Sequence, residues 1–567
     1  PKVVARKLRG ITGLESPLVG REAEFAVLKE ALDRLGAGVG GIVTLVGEAG
    51  IGKSRLVAEL RKGAVTAPLR WVEGRCLSYG TSITYLLWLD LLRSMVGMSI
   101  EDSSVAVRDA LRQLVQTLCP EQFIDVYPYL GQLMSLPLEA EDEAKIGELD
   151  GQKLKAGTFR AVMTLMERAA SERPLVLVCE DLHWADPSSL ELLEHLLALT
   201  DRASLLFICV FRPDREHGSW RLRETAARLY PHRHTSLWLD PLSAAESATL
   251  VNNLLRMEDM PEQLKLHILS RVEGNPFYVE EVLRSLIDRG FIVQDEATGR
   301  WQVTGDVSSI PIPDTVHGVL VARIDRLQEE TRRVLQLAAV IGRIFLYRIL
   351  AAISEEEREL DAQLIALQRE EMIRERARLP ELEYIFKHEL TREAAYNGLL
   401  KRQRRGFHLQ VAEALERLFS GRIEEQPELL AHHYTRAEAW DKAFAYLVRS
   451  GHRARRAFAN QEAIAFYTQA LEVSERVTHP VDAAQLLPVY EGRGVIFRLL
   501  RRLDEAIADF DMMRRMAKAS GNQRKEGESL FNLATAYFWK GSMEEIPFAE
   551  EYALEAVRLA ELTGDQR

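Results

Sequence analysis

Residues Gly47–Ser54 read GEAGIGKS, which fits the pattern G-x-x-x-x-G-K-[ST] at every position. An apolar run, IVTLV, precedes the octapeptide, and a helix-like stretch, KSRLVAELRK, follows it. A strand that ends in such a loop and reopens as a helix is built to hold phosphate. Gly47, Gly50 and Gly52 let the backbone curl so that successive N–H groups point at phosphate oxygens. The helix adds its positive N-terminal end. Lys53 then reaches the β- and γ-phosphates, and the Ser54 hydroxyl can ligate Mg²⁺. Glu48, Ala49, Ile51 and Arg55 fill the rest of the cradle and its first helical turn.

The surrounding sequence agrees with that reading. Between residues 18 and 240, the strand-like runs GIVTLV, LRWVEG, PLVLVC, SLLFICVF and TSLWL alternate with helical stretches. This is the sequence form of a parallel sheet covered by helices, an α/β P-loop NTPase fold. The run PLVLVC is apolar throughout, as a strand buried on both faces requires. It leads into Glu180 and Asp181, at the edge of the sheet where ligands bind. One of these acids can hold the Mg²⁺ shell and the other can orient or deprotonate an attacking water. Glu180 takes the usual metal position and Asp181 the usual base position. Arg212 follows SLLFICVF at the same edge, where its guanidinium can read a γ-phosphate; a plain surface arginine is the alternative.

Beyond residue 240 the pattern changes. We expect a linker over 1–17, a P-loop nucleotide-binding domain over 18–240 and a small helical domain over 241–310. A winged-helix-like domain, three helices plus a β element, should cover 311–404. From 405 to 567 the chain reads as tetratricopeptide-like helical repeats, cut short at the end. The repeat signal is an A-x-x-x-[FY] step at Ala463 and Ala506, with a weaker match at Ala549, spaced by 43 residues. Such units bury a core only between neighbours and present a concave surface, so a protein or small-molecule inducer is expected there. An ordinary helical bundle is the competing reading.

Composition narrows the class. No apolar run approaches the roughly 18 residues of a membrane helix, and the basic N-terminus has no h-region of a signal peptide. The four cysteines form no C-x-x-C pair, and Cys179 and Cys209 lie in apolar runs, which suits structural thiols in a reducing cytoplasm. A net charge of −11 opposes direct nucleic-acid binding, and KRQRR (401–405) and HRARR (452–456) read as charged helix faces. His183, His432 and His433 lack metal-site spacing with other ligands, so no metal beyond Mg²⁺ is expected. The chain lacks an initiating Met and stops within a helical pattern, from which we expect a piece of a longer polypeptide.

Taken in order, these segments resemble the STAND-class signalling ATPases, a branch of the AAA+-related P-loop proteins. SPLVGREAE resembles the family's opening motif, which implies Val19, Gly20 and Arg21 beside the nucleotide. GEAGIGKS and CEDLHWAD resemble its Walker motifs, and VFRPD its sensor segment with Arg212. VEGNPFYVEEVL resembles the helical-domain motif whose proline, here Pro276, packs near adenine. FKHELTREAAY resembles the winged-helix segment whose histidine, here His388, contacts the β-phosphate of ADP; a helix-capping histidine is the alternative. The resemblance implies an ATP/ADP switch with slow hydrolysis. ADP locks the closed form, while a signal on the repeats favours ATP, opening and self-association. The opening RGITGLESPLVGRE, with GRCLSYG and AAVIGRIF, is similar to bacterial modules that follow a class III nucleotide cyclase domain. Related modules carry a kinase or a DNA-binding helix-turn-helix instead, so a transcription-regulator ATPase module is an alternative. Two rival readings remain: a repeat scaffold with a structural nucleotide, and a cycling AAA+ motor, for which no arginine finger can be assigned.

Overall fold

In the computed structural model, residues 16–567 are described except 65–67, 78–82, 99–101, 148, 150, 256–259, 295–300, 305–311, 355–356, 378–380, 420–426, 542–543 and 564–567. All but Ser16 and Pro17 of the expected linker lies outside the described residues.

Five strands form the first sheet: β1 (Gly41–Gly47), β2 (Arg70–Arg75), β3 (Leu175–Glu180), β4 (Leu205–Phe211) and β5 (His234–Leu239). Their order is β2-β3-β4-β1-β5, and every pairing is parallel. All five strand-like runs of the sequence are therefore strands. Each residue of β3 and β4 is buried, because helices cover both faces of the sheet. One face packs Leu28, Leu56 and Leu60 against Val176 and Ile208. The other packs Leu177 and Phe207 against the excursion between β2 and β3. That excursion is helical, from Leu86–Val96 to the long helix Gly151–Glu172. The parallel arrangement matters for function. It brings the C-terminal ends of β1, β3 and β4, and the loops that follow them, to one edge.

Three helices come next, Ala244–Leu255, Glu262–Val272 and Pro276–Asp288. The first opens on Ser243, whose hydroxyl accepts from the Glu246 N–H at 3.2 Å while Glu246 accepts from the Ser243 N–H at 2.6 Å. This reciprocal cap satisfies two otherwise orphan donors. A hairpin of β6 (Ile292–Gln294) and β7 (Trp301–Val303) follows. The sequence pattern reads as helix over this stretch, since three-residue strands leave too short a pattern to see.

A helix over Val316–Ile324 leads into Glu329–Ile341, β8 (Ile344–Leu346), two helices, β9 (Ile373–Ala377) and β10 (Glu383–Phe386). These strands form an antiparallel sheet in the order β8-β10-β9. The helix Lys401–Leu418 runs across residue 404, where the sequence pattern suggests a boundary. One apolar core continues through it, from Leu320 to Ile496, so this unit and the first repeats are packed as one body.

The remainder is a helical array of hairpins, Trp440–Arg456 with Asn460–Ser474, Ala483–Leu499 with Leu503–Ala519, and Gln523–Lys540 with Ile546–Thr563. Ala463, Ala506 and Ala549 sit at matching places on the second helix of each and are buried. A larger side chain there would hold the paired helices apart. Phe458 and Arg501, again 43 residues apart, make the turns with positive φ (55° and 61°).

Candidate functional site

The loop after β1 turns through Gly50 (φ 83°) and Gly52 (φ 104°), conformations that only glycine adopts freely. Lys53 then opens the helix Lys53–Gly63 and is buried. Its ammonium donates to the carbonyls of Gly47 (2.6 Å) and Glu48 (2.8 Å). Burial, followed by the nearby Arg212 charge, lowers the Lys53 pKa to about 8 against the pull of Asp181, Glu48 and Glu180. A buried cation with two carbonyl partners and a third donor hydrogen to spare suits an anion in front of the loop.

Across from it, Glu180 and Asp181 diverge. Glu180 is buried and accepts from the Arg75 Nε at 2.8 Å, so Arg75, on the neighbouring strand β2, engages it. Asp181 takes the left-handed conformation (φ 58°), and its carboxylate lies 3.9 Å from the same Arg75. It accepts from Arg343, just before β8, at 2.5 Å. Burial opposes ionisation of Asp181, but the charges of Arg343 and Arg75 outweigh it and hold the carboxyl at about 2. Arg212 lies 3.6 Å from Glu393. His183 is buried beside these groups, neither ring nitrogen has a hydrogen-bond partner among the described residues, and burial takes it down to about 3.

The helical segments close the site from the other side. Asn275 donates to the Ala49 carbonyl at 3.0 Å and accepts from the N–H groups of Phe277 (3.1 Å) and Tyr278 (3.3 Å). A Cβ on Gly50 would meet the Asn275 side chain at 2.8 Å, so the loop glycine also permits this contact. Phe277 stacks on His388 with ring centroids 3.7 Å apart. His388 caps the helix Glu389–Asn397, its Nδ1 accepting from the Leu390 N–H at 3.2 Å. Capping and a place at the site are thus compatible. Near the chain's beginning, Arg21 donates to the Asp240 carbonyl at 2.6 Å. Arg55 bonds the Ser16 carbonyl and lies 3.8 Å from Glu280.

Together these groups enclose a cavity of about 110 Å³. Its lining includes Val19, Arg21, Ala49, Gly50, Ile51, Gly52, Lys53, Ser54, Arg55, Asp181, Arg212, Pro276 and His388. Of the residues singled out from the sequence, Gly20, Gly47, Glu48 and Glu180 are not part of that lining. Eight lining residues were missed: the apolar Pro17, Leu18, Leu242 and Leu250, and Phe277, Glu280, Arg343 and Glu389. Phe277 could have been found as the neighbour of Pro276. Arg343 lies within the AAVIGRIF segment, but nothing there points to its partner, 162 residues away. Sites for drug-sized ligands run to roughly 300 Å³ and more, so this cavity takes phosphate groups as it stands, and adenosine requires side chains at the mouth to move. Among the described residues, no cluster of three His, Cys, Asp or Glu groups could hold a metal, and no helix is long and apolar enough to cross a membrane. The four cysteines are free and buried.

Fold and loop define a class: a P-loop ATPase domain joined to helical repeats. Comparison with known proteins agrees, since residues 17–208 match the family model of the AAA ATPase domain. Residues 243–300 match a domain of unknown function. An uncharacterized protein of Rhizobium meliloti (strain 1021) is 24% identical over 523 residues, which cover 89% of this chain and 48% of that protein. A peroxide stress-activated histidine kinase of Schizosaccharomyces pombe is 25% identical over 214 residues, 37% of this chain and 9% of the kinase. The chain spans about half the length, or less, of these curated relatives. Among solved structures, a signal transduction ATPase with numerous domains and a tetratricopeptide repeat sensor, from Pyrococcus horikoshii, aligns over 97% of this chain and 79% of its own, at 14% identity and a TM-score of 0.41.

Proposed function

We propose that this chain is a nucleotide-operated signalling switch of the STAND kind, in which ADP holds the closed arrangement described above. The observation that carries the reading is the composition of the cavity wall. Residues of the opening segment, the phosphate loop, the Pro276–Asp288 helix and the winged-helix-like unit all line it. A ligand held by four units at once favours the arrangement in which they meet, and its affinity for that arrangement over an open one sets the size of the switch.

Within it, the loop N–H groups, Lys53 and the first turn of the Lys53–Gly63 helix take the phosphates. Pro276 and Val19 flank the base, and His388 and Arg343 face the phosphate groups from the winged-helix-like unit. The hydroxyl of Ser54 and the carboxylate of Glu180 are hard oxygen donors of the kind that suits Mg²⁺. Bound there, the ion would neutralise phosphate charge; Glu180 would have to slacken its bond to Arg75. Asp181 is the group to orient water, and its pairing with Arg343 keeps it occupied in the closed form. That accounts for slow hydrolysis and for the need of an inducer, a protein or small molecule on the repeats, to open the molecule. ATP-bound molecules would then self-associate, in the cytoplasm, and act on an output outside these residues. A nucleotide cyclase is the candidate that the RGITGLESPLVGRE opening favours.

Mass spectrometry of nucleotide released from the purified protein tests the reading. ADP at near one-to-one occupancy is expected, with none in Lys53→Ala. ATP should be retained unhydrolysed by the Glu180→Gln, Asp181→Asn double variant. Phosphate release at the wild-type rate from that variant would overturn the catalytic assignment.

A further inference from the structure

A second cavity, of about 490 Å³, shares no lining residue with the first. It lies where the helices Lys401–Leu418, Pro427–Arg436, Trp440–Arg456 and Asn460–Ser474 meet, and its volume falls in the range of small-molecule sites. Glu428, Ala431, His432 and Thr435 face it from one side of a single helix, as their i, i+3, i+4, i+7 spacing dictates.

Three features of the lining define what it can hold. The first is an excess of positive charge. Lys401, Arg404, Arg405 and Arg436 line the cavity against two acids, Glu428 and Glu438. Glu428 is already paired with Arg453, outside the lining, at 2.6 Å. Glu438 lies 3.0 Å from Arg405 and 3.9 Å from Lys401. Arg404 is held over the Tyr396 ring and by the Asn397 and Leu399 carbonyls. Arg436 has no ion-pair or hydrogen-bond partner among the described residues and is free to meet an anion.

The second feature is unmet hydrogen bonding in the interior. Glu428 is 1% exposed, and its second carboxylate oxygen has no partner among the described residues; nor does the buried hydroxyl of Thr435. Leaving a buried carboxylate oxygen unsatisfied is costly, so a donor is called for there. The third is an apolar stretch of Trp440, Leu447 and Phe466, suited to the CH face of a carbon skeleton.

We propose that this cavity binds a small hydroxylated organic anion of the sugar-phosphate, phosphoglycerate or sugar-acid class. Its acid group meets Arg436, Lys401 and Arg405, and a hydroxyl donates to Glu428. Inorganic phosphate has no carbon skeleton and cannot meet the arginines, Glu428 and the apolar stretch at once, and a neutral polyol would leave Arg436 unmet. Occupancy of this cavity does not depend on what the phosphate loop binds.

The test is titration calorimetry on the 567-residue chain saturated with ADP and magnesium, so that the phosphate loop does not compete. Glucose 6-phosphate, 3-phosphoglycerate and gluconate are the probes, with inorganic phosphate and glucose as partial ones. At least one full probe should bind with a Kd below about 1 mM, and at least about fivefold tighter than either partial probe. Arg436→Gln should weaken it about five- to tenfold, and Glu438→Gln should tighten it. Arg515→Gln, exposed on a later hairpin, should change nothing. The Lys53→Ala variant without nucleotide should give the same affinities, which separates this site from the nucleotide reading. Absence of saturable binding by all three probes up to about 10 mM overturns the proposal. So does an affinity unchanged by both Arg436→Gln and Glu438→Gln, or phosphate binding as tightly as the full probes.

Discussion

Arg343, at the head of β8, donates a 2.5 Å hydrogen bond to Asp181 at the end of β3, joining two units whose sequences are 162 residues apart. Both side chains are largely buried, at 9% and 20% exposure. Arg343 also lies 3.7 Å from Glu389 at the start of the Glu389–Asn397 helix, so one guanidinium ties the sheet edge to two elements of the small-sheet unit. Removing one partner of such a pair leaves the other charge buried without compensation.

We expect Arg343→Gln to loosen the closed arrangement without disturbing the phosphate loop. Dissociation of a fluorescent ADP analogue, followed by stopped flow, should quicken by on the order of tenfold, because coupling between sites of this kind amounts to roughly 1–3 kcal/mol. A rate equal to wild type would show that the pair does not hold the units together.

Lys53 gives nucleotide binding a pH dependence of definite sign. Its pKa in the free protein is lowered to about 8, chiefly by burial, and phosphates bind the protonated form. Affinity for ADP should therefore be flat below about pH 8 and fall by up to tenfold per unit above it, as the ammonium loses its proton. Calorimetry at pH 7 and pH 9 measures this. In Lys53→Arg, weaker binding is expected but with a flat profile, since guanidinium stays charged.

Glu462, on the first repeat hairpin, accepts from the Ser188 N–H at 2.8 Å, at the start of the Pro187–Leu196 helix that follows the paired acids. Asp186, which caps that helix, also accepts from the N–H groups of Tyr85 and Leu86. Burial, and then the charge of Glu462, push its pKa up to about 7. A raised carboxyl pKa means that this stability is full below about pH 4 and is lost as pH rises through 7. Glu462→Gln keeps an acceptor for Ser188 and removes the like charge, so it should stabilise the protein by about 1 kcal/mol at pH 8. Glu462→Ala loses the hydrogen bond and should cost about 1–2 kcal/mol. Thermal melts at pH 6 and pH 8 distinguish the two; the same sign for both variants at pH 8 would refute the account.

His408 and His433 face each other with their Nδ1 atoms 2.9 Å apart, and Tyr396 lies 2.9 Å from the other nitrogen of His408. Burial lowers His408 to about 3 and the neighbouring His432 to about 4. A depressed histidine contributes stability that is present above the unfolded pKa near 6.5 and lost as pH falls toward the folded one. Between pH 6.5 and 4 the unfolded chain takes up the protons, at about 1.4 kcal/mol per unit for each histidine. Protection factors for amide exchange in the Lys401–Leu418 helix, which divide out the slower intrinsic exchange in acid, should fall accordingly on acidification. His408→Gln should make that fall shallower, even if the variant is weaker at pH 8.

The phosphate loop, the five strands of the parallel sheet and the spacing of the repeats were legible in the sequence because each is a local pattern. Glycines set backbone angles, apolar runs set strands, and buried alanines recur where helices touch. Pro276 and His388 were named through resemblance, and both line the cavity with Lys53. What the chain order could not convey was which distant side chains meet. Nothing near Glu180 announces that Arg75 will engage it across adjacent strands, and nothing near Asp181 announces Arg343. The β6–β7 hairpin was invisible because three-residue strands draw their stability from each other and not from their own composition. The second cavity needed four helices in contact before an unmatched arginine and an orphan carboxylate oxygen shared one space. Local sequence decides backbone conformation through sterics and hydrogen bonding over a few residues, whereas pairings of charge depend on packing that only the folded chain brings about.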